Sequence, residues 1–313
     1  MTYYIGVDGG ASKTAAIVVD EQGNKLGSGL AGASNHLRVG IEEATRNVER
    51  AVNIALVEAG IAIKDVEYAY CGIAGSDHPS HREKVVEALR VFFPRGNFIV
   101  DTDARIALTG AIGFGAGIVV ISGTGSVAFG RNSSGHEVRA GGWGPTLGDE
   151  GSGFWIAREG LSAIVRAHDG RGFATGMTDL LCAEYEMCSP DDLPQFVYAT
   201  TTHVDDIARY GKLVIEAAQN GDDIARDILA RAGSELAECV LAIARKLHMA
   251  DSEFPAAFVG GAFHAGDLLL NPMRLRLQRD APGATLQAPE RSPVEGAAMM
   301  AMHAAQAPRA GRA

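Results

Sequence analysis

Ile5-Gly6-Val7-Asp8-Gly9-Gly10-Ala11-Ser12-Lys13-Thr14-Ala15-Ala16-Ile17 reads as an apolar strand, a turn of small and hydroxyl residues, and a second apolar strand. The arrangement returns as Ile118-Val119-Val120-Ile121-Ser122-Gly123-Thr124-Gly125-Ser126-Val127-Ala128-Phe129. Two such β-hairpins in one chain predict a duplicated α/β unit, each copy opening on a Gly-rich turn. Around the first copy, residues 3–8, 15–20 and 25–30 read as successive strands, with Glu21-Gln22-Gly23-Asn24 as a polar turn. Residues 40–59 set Ile41, Ala44, Val48, Val52, Ala55 and Leu56 on one helical face. The apolar runs 68–73 and 97–100 read as buried parallel strands on either side of a helix near 81–93. Beyond Gly151 the pattern is mostly helical, notably over 205–220 and 222–247, until a short strand at 256–259 ends in Gly260-Gly261-Ala262.

The alternation of strands and helices predicts an α/β fold. The boundary falls near Phe114, giving an N-terminal domain over 1–114 and a C-terminal domain over 115–313; the last helix, about 293–305, is a candidate to pack back on the first domain. No low-complexity linker separates the halves, so they are expected to meet over a cleft. The tail after Gln306 is expected to fray.

Of 313 residues, 47% are apolar, ample for a buried core. With 28 Lys and Arg against 38 Asp and Glu, the net charge of −10 disfavours a sequence-independent grip on nucleic acid or an anionic membrane. Cys71, Cys182, Cys188 and Cys239 form no C-x-x-C pair, so spacing supports neither a disulfide framework nor a zinc site. The start, Met1 to Ile5, has no basic n-region, and no apolar run is long enough to cross a bilayer; a reducing cytoplasm is the expected location.

The two turns are where chemistry is expected. Glycines let backbone N–H groups converge on an anion, and two equivalent turns followed by a Gly-Gly-Ala strand end point to phosphate. No Walker-type P-loop occurs, so a nucleotide would be held between two hairpins. Asp8, where the first strand runs out, suits a magnesium ion held through water or a cap on its own turn. Asp101-Thr102-Asp103 follows the strand over 97–100, at the edge where ligands of open α/β sheets bind. A carboxylate there serves as a base for a substrate hydroxyl or as the N-cap of a helix starting at Ala104, with Asp103 the better placed cap. The stretch from Gly141 to Gly153 holds six glycines in thirteen positions, with Trp143, Asp149 and Glu150 offering a flat ring face and hydroxyl acceptors suited to a sugar. Asp149 and Glu150 also suit the start of the helix through Phe154 and Trp155.

Together, Asp8 to Thr14, Asp101 to Ala104, Ser122 to Ser126, Gly141-Gly142-Trp143-Gly144 and Gly148-Asp149-Glu150-Gly151-Ser152 resemble the N-acetylglucosamine kinase family, in order and over nearly the whole chain. That family lies within the actin-like sugar-kinase and heat-shock ATPase superfamily, and is related to bacterial glucosamine kinases and to activator ATPases of acyl-CoA dehydratases. The resemblance implies two actin-like (ribonuclease H-like) domains, a duplicated mixed β-sheet core flanked by helices, and a cleft between. It implies an ATP-dependent kinase of the 6-hydroxyl of N-acetylglucosamine, with ATP and Mg2+ as cofactors and glucosamine as the alternative substrate.

By the same resemblance, Gly9, Gly10, Ser12, Lys13 and Thr14, then Gly123, Thr124, Gly125 and Ser126, form the two phosphate loops. Gly260, Gly261 and Ala262 form the adenosine loop, Asp8 holds magnesium through water, and Asp103 is the general base. Asn35, Gly75, Asp103, Gly142, Trp143, Gly144, Asp149 and Glu150 contact the sugar, while Asp101 has no role. The chain departs from the family at Ala11, usually Gly, and at Ser12, usually Thr.

Two further classes stand beside this one. An activator ATPase would need cysteines from two subunits for an iron–sulfur cluster, and none lies between Cys71 and Cys182. A sugar-sensing regulator would normally add a DNA-binding module, for which Ile5, already in the first strand, leaves no N-terminal space. Cleft-closing kinases of this sort are often homodimers, yet the helices after Gly151 carry no clear unpaired apolar stripe, so the oligomeric state stays open.

Overall fold

The computed structural model describes residues 1–185 and 189–306. The tail after Gln306 and Cys188 lie outside the described residues. The chain divides into two units, Met1–Gly115 joined by the C-terminal segment from Pro289, and Ala116–Ala288. The sequence reading set the boundary at 114/115 and the second domain to 313; by contacts the first stretch ends at Gly115 and the segment from Pro289 groups with the first unit.

The first unit opens with β1 (Tyr3–Gly9), β2 (Thr14–Val19) and β3 (Lys25–Ala31), followed by the single turn α1 (His36–Val39), α2 (Ile41–Ala59), β4 (Val66–Ile73), α3 (Pro79–Leu89), β5 (Phe98–Asp101) and α4 (Asp103–Ile112). The sheet runs β3-β2-β1-β4-β5, an antiparallel meander joined to two parallel strands. Strand period two sorts β1 between two cores: Ile5 and Val7 meet Val48, Ala51 and Val52 of α2, while Tyr4 joins Ile17, Tyr70 and Ile106 on the other face. Gly60, in the left-handed region at φ 68°, stops α2 by donating its N–H to Leu56 and Val57 carbonyls. Pro79 at the first helical position and His78 as cap start α3 earlier than the apolar pattern implied.

The second unit repeats the plan: β6 (Gly117–Ser122), β7 (Ser126–Arg131), β8 (Glu137–Gly141), α5 (Gly153–His168), α6 (Met177–Glu184), α7 (Leu193–Val197), α8 (Val204–Ala208), α9 (Gly211–Gln219), α10 (Asp223–Lys246), β9 (Phe254–Val259), α11 (Asp267–Asp280) and β10 (Ala284–Gln287). Its sheet, β10-β9-β6-β7-β8, matches the first strand for strand when read in reverse. The duplicated mixed sheet is therefore real. The helix expected over 205–220 is two helices, α8 and α9, and strands β8 and β10 join the sheet where the sequence reading had placed none. The core of this unit sets Ile118, Val120 and Ala128 against Leu236, Ala237 and Val240 of α10.

The chain then returns to the first unit as α12 (Pro293–Gln306). Ala297, Ala298 and Ala301 are buried on the Tyr4–Ile17 face. Close approach explains the glycines here: a Cβ on Gly6 would lie 2.4 Å from Ala298 N, and one on Gly296 2.1 Å from the Ile106 carbonyl of α4.

Candidate active site

In the first unit the β1–β2 turn is a hub. Gly9 pairs with Thr14 to close it, and Gly10 N–H donates to the Lys13 carbonyl at 2.9 Å. The Gly10 carbonyl accepts from Ser34 and Asn35 N–H, at 3.1 and 3.2 Å, and the Gly9 carbonyl accepts from Ala74 N–H at 2.7 Å. The loops after β3 and β4 are thereby fastened to the turn. A Cβ on Gly9 would sit 2.3 Å from Ser34 Oγ. Asn35 Oδ1 caps α1 by accepting from Leu37 N–H at 3.1 Å. Gly75, at φ +85°, faces it: an added Cβ would be 2.8 Å from that oxygen. Asn35 and Gly75, both expected at the sugar, are thus neighbours. Ser12 and Lys13 are exposed. Thr14 is not; its hydroxyl donates to the Gly32 carbonyl at 2.7 Å and shares a hydrogen bond with the Ser34 hydroxyl at 2.8 Å, which makes it a peg inside the unit.

Two carboxylates lie by this hub. Asp8, one residue before the turn, is pushed up to about 6 by burial, with Lys13 opposing. Asp103 is pushed up to about 7, first by burial and then by the negative charges of Asp8 and Asp77. Asp103 is not the cap of α4. Thr102 is, its hydroxyl accepting from Arg105 N–H at 3.3 Å, and Asp103 opens the helix, with its carboxylate accepting from Ala104 N–H at 3.0 Å. Asp101 is buried and accepts from Tyr70 Oη at 2.7 Å and from Thr102 N–H at 2.8 Å.

In the second unit Ser122 pairs with Ser126 across Gly123-Thr124-Gly125. The carbonyls of Gly123 and Thr124 accept from Gly153 and Phe154 N–H, at 2.8 and 3.2 Å, so the turn is pinned to the start of α5. Ser122 and Ser126 hydroxyls donate to the Gly151 and Glu150 carbonyls, both at 2.8 Å. Ser126, expected at phosphate, therefore spends its hydroxyl inside the fold. Asp149 stands at φ +60°, rare outside glycine, and accepts from Gly144 N–H at 3.1 Å and from Ser126 N–H. Burial raises its pKa against those two donors. A Cβ on Gly125 would meet Asp149 Oδ2 at 2.6 Å. Asp149 thus clasps the Gly142-Trp143-Gly144 loop to the turn. It and Glu150 precede the cap of α5, which is Ser152, so neither opens that helix. Trp143 is 66% exposed with Arg139 stacked 5.2 Å from its ring centroid, and Glu150 is exposed. After β9, Gly260 at φ +120° would place a Cβ 2.2 Å from the Ser122 carbonyl; Gly261 is exposed and Ala262 buried.

Residues 5–301 match the BadF/BadG/BcrA/BcrD ATPase family. The chain belongs to this family. A relative in Clostridium acetobutylicum, named N-acetylmuramic acid/N-acetylglucosamine kinase, is 31% identical over 96% of this chain and 98% of its own length. One in Dictyostelium discoideum, named N-acetyl-D-glucosamine kinase, is 29% identical over the same shares. A crystal structure from Chromobacterium violaceum, provisionally named an N-acetylglucosamine kinase, is similar at a TM-score of 0.75 with 28% identity, covering 96% of this chain and 98% of that one.

In this ATPase family member Asp8 and Asp103, the carboxylates pushed up to about 6 and about 7, both lie by the first unit's hub. Among the described residues no group of three or more His, Cys, Asp and Glu side chains forms a metal cage. That donor set still fits magnesium, which takes one or two carboxylates and fills the rest of its shell with waters and substrate phosphates. Among the described residues no helix is long and apolar enough to cross a membrane.

Proposed function

We propose that this ATPase family member is an aminosugar kinase that moves the γ-phosphoryl group of ATP to the 6-hydroxyl of N-acetylglucosamine, giving N-acetylglucosamine 6-phosphate and ADP. One observation carries the reading: Asp103, a half-buried carboxylate with its pKa drawn up to about 7, beside a Gly-rich turn and a second carboxylate, Asp8. A base with that pKa is partly ionised near neutral pH and takes up a proton readily there, where phosphoryl transfer from ATP runs. The names of the relatives support the same class.

The sugar O6 forms a bond to the γ-phosphorus as the bond to the β–γ bridging oxygen breaks, and the hydroxyl proton passes to the Asp103 carboxylate. ADP leaves with the electron pair. Asn35 and Gly75 form a wall for the sugar, Gly75 on the loop whose Asp77 charge reaches the base, and Trp143 offers an exposed ring face. Gly9, Gly10 and Gly123 to Gly125 present backbone to phosphate, with Ser12 and Lys13 as exposed side-chain donors, and Gly260 and Gly261 to the adenosine. Magnesium, held by Asp8 through water, would neutralise phosphate charge. Thr14 and Ser126 are not assigned to phosphate, because their hydroxyls are already bonded inside the fold. The setting for such an enzyme is the cytoplasm, where ATP is made.

A glucosamine ammonium group would need acidic partners such as Asp149 and Glu150, and Asp149 already accepts two backbone N–H bonds. The iron–sulfur reading is also unsupported: Cys71 is wholly buried and its thiol is pushed up to about 12. Coupled-assay rates on N-acetylglucosamine, N-acetylmuramic acid, glucosamine, glucose and N-acetylmannosamine test the proposal. N-acetylglucosamine is expected to give the highest kcat/KM; a preference for glucosamine, or no turnover of any of the five, would overturn it.

A further inference from the structure

Asp101 ends β5 and holds none of the roles above. Its side chain is 4% exposed. A carboxylate taken that far out of water is tolerated only where its lone pairs are filled. Four donors from different parts of the first unit fill them: Tyr70 Oη on β4, the Thr102 N–H, the Arg105 guanidinium on α4, and the Arg82 guanidinium on α3 at 3.4 Å.

The two arginines lead to different places. Arg82 Nε also donates to the Ser76 carbonyl at 3.2 Å, and Ser76 follows Gly75, which faces Asn35. Arg105 lies two residues beyond Asp103 on α4, and its backbone N–H is the one that Thr102 caps. One buried carboxylate therefore fastens the loop of the sugar wall to the helix that carries the base.

We propose that Asp101 is a positioning residue with two separable arms: through Arg82 it sets the Gly75–Asn35 wall, and through Arg105 and the Thr102 N–H it aims the Asp103 carboxylate. This rests on the kinase reading of Asp103. Catalysis is sensitive to such aim, since a misplacement of about 1 Å costs on the order of 100-fold in rate. The wall, by contrast, governs how well the sugar is held before the reaction.

Steady-state kinetics of the full chain with ATP and N-acetylglucosamine test it, each rate divided by the concentration of folded protein taken from the amplitude of the thermal unfolding transition. Arg82→Gln is expected to raise the sugar KM roughly ten-fold with kcat within about two-fold. Arg105→Gln is expected to lower kcat by about ten- to a hundred-fold with the sugar KM within about two-fold. Asp101→Asn should do both, and the KM for ATP should stay put in all three. A merely structural role would lower the folded fraction and leave the corrected constants unchanged. Identical patterns from the two arginine variants, or unchanged constants in all, would overturn the inference; if Asp101→Asn does not fold, the arginine pair decides alone. Asp103→Asn serves as the reference. Should it keep near-normal turnover, the base reading fails and takes this inference with it; should it be inactive while the arginine variants do not split, only the positioning role fails.

Discussion

The two hairpin turns occupy equivalent places in equivalent sheets, yet their surroundings differ in charge. Asp8 on β1 pairs with Ala15 and Gly72; the residue in that position on β6, paired with Val127 and Val259, is Ile121. The first turn therefore ends beside a carboxylate whose oxygens are held back from ordinary ionisation by burial, and its charge in turn raises a second carboxylate, Asp103. The second turn also has an aspartate, Asp149, but its carboxylate is occupied by Gly144 and Ser126 N–H. Duplication supplied two backbone cradles, and both Asp103 and Asp149 are raised by burial and accept two backbone N–H bonds. Charge separates them: Asp8 and Asp77 press on Asp103 next after burial, whereas Glu150 is the smallest influence on Asp149.

The comparison breaks most readily at Asp103. Asp103→Asn is expected to lower kcat by about 10²–10⁴-fold, the usual worth of a general base, while sugar affinity measured by calorimetry stays within a few-fold. A near-normal kcat would remove the chemical half of the contrast. Asp149→Ala should act on stability instead: it strands two N–H groups and is expected to cost about 1–3 kcal/mol in urea unfolding. If Asp149→Ala leaves the unfolding midpoint unchanged, the clasp is not structural.

The contrast also has a pH signature. Asp103 titrates near 7 in the folded chain, against the much lower value of an aspartate in an unfolded one, so between those values the folded state holds the extra proton. Stability from this group is thus fully present at acid pH and is lost as pH rises through 7; Asp8 adds the same trend up to about 6. Asp103→Asn should raise the melting temperature at pH 8 in the absence of metal and nucleotide, by a few degrees for a gain on the order of 1–2 kcal/mol, with little change at pH 4. A destabilised Asp103→Asn at pH 8 would contradict the raised pKa. The smallest effect is expected at Thr14→Val: about 1 kcal/mol of stability, from one lost hydroxyl pairing, and an unchanged KM for ATP. A large rise in that KM would return Thr14 to the phosphate.

Much of this was legible in the chain. The hairpins, the stripe of α2 and the apolar runs of β4 to β6 carry their period openly, because both faces of a central strand, or one face of a long helix, must be apolar to be buried. The edge strands β8 and β10 do not. Glu137 to Gly141 are all half-buried, and Ala284-Thr285-Leu286-Gln287 is four residues long, so neither has a face that sequence pattern must mark. Over 205–220 the periodicity continues through Tyr210, yet the chain bends there, with Gly211 close against Gly153: a Cβ would be 3.1 Å from its carbonyl. At the site, carboxylate type and spacing drew attention to Asp8 and to the pair Asp101 and Asp103, between which only the family resemblance chose, and a hydroxyl in a Gly-rich turn looks the same whether it faces ligand or core. For Thr14 and Ser126 the hydroxyl is taken up inside the fold, which the sequence pattern does not mark. Asp149 was missed as a clasp because its positive φ is a tertiary imposition no composition records.

The seat of α12 on β1 and α4 has a bearing on how the chain is made. On the ribosome, the face of the first sheet that carries Tyr4, Ile17 and Tyr70 emerges early, while Ala297, Ala298 and Ala301, which cover it, emerge only after the whole of Ala116–Ala288. The half synthesised first is therefore the half completed last, and until then it must wait with an uncovered apolar face while the other matures.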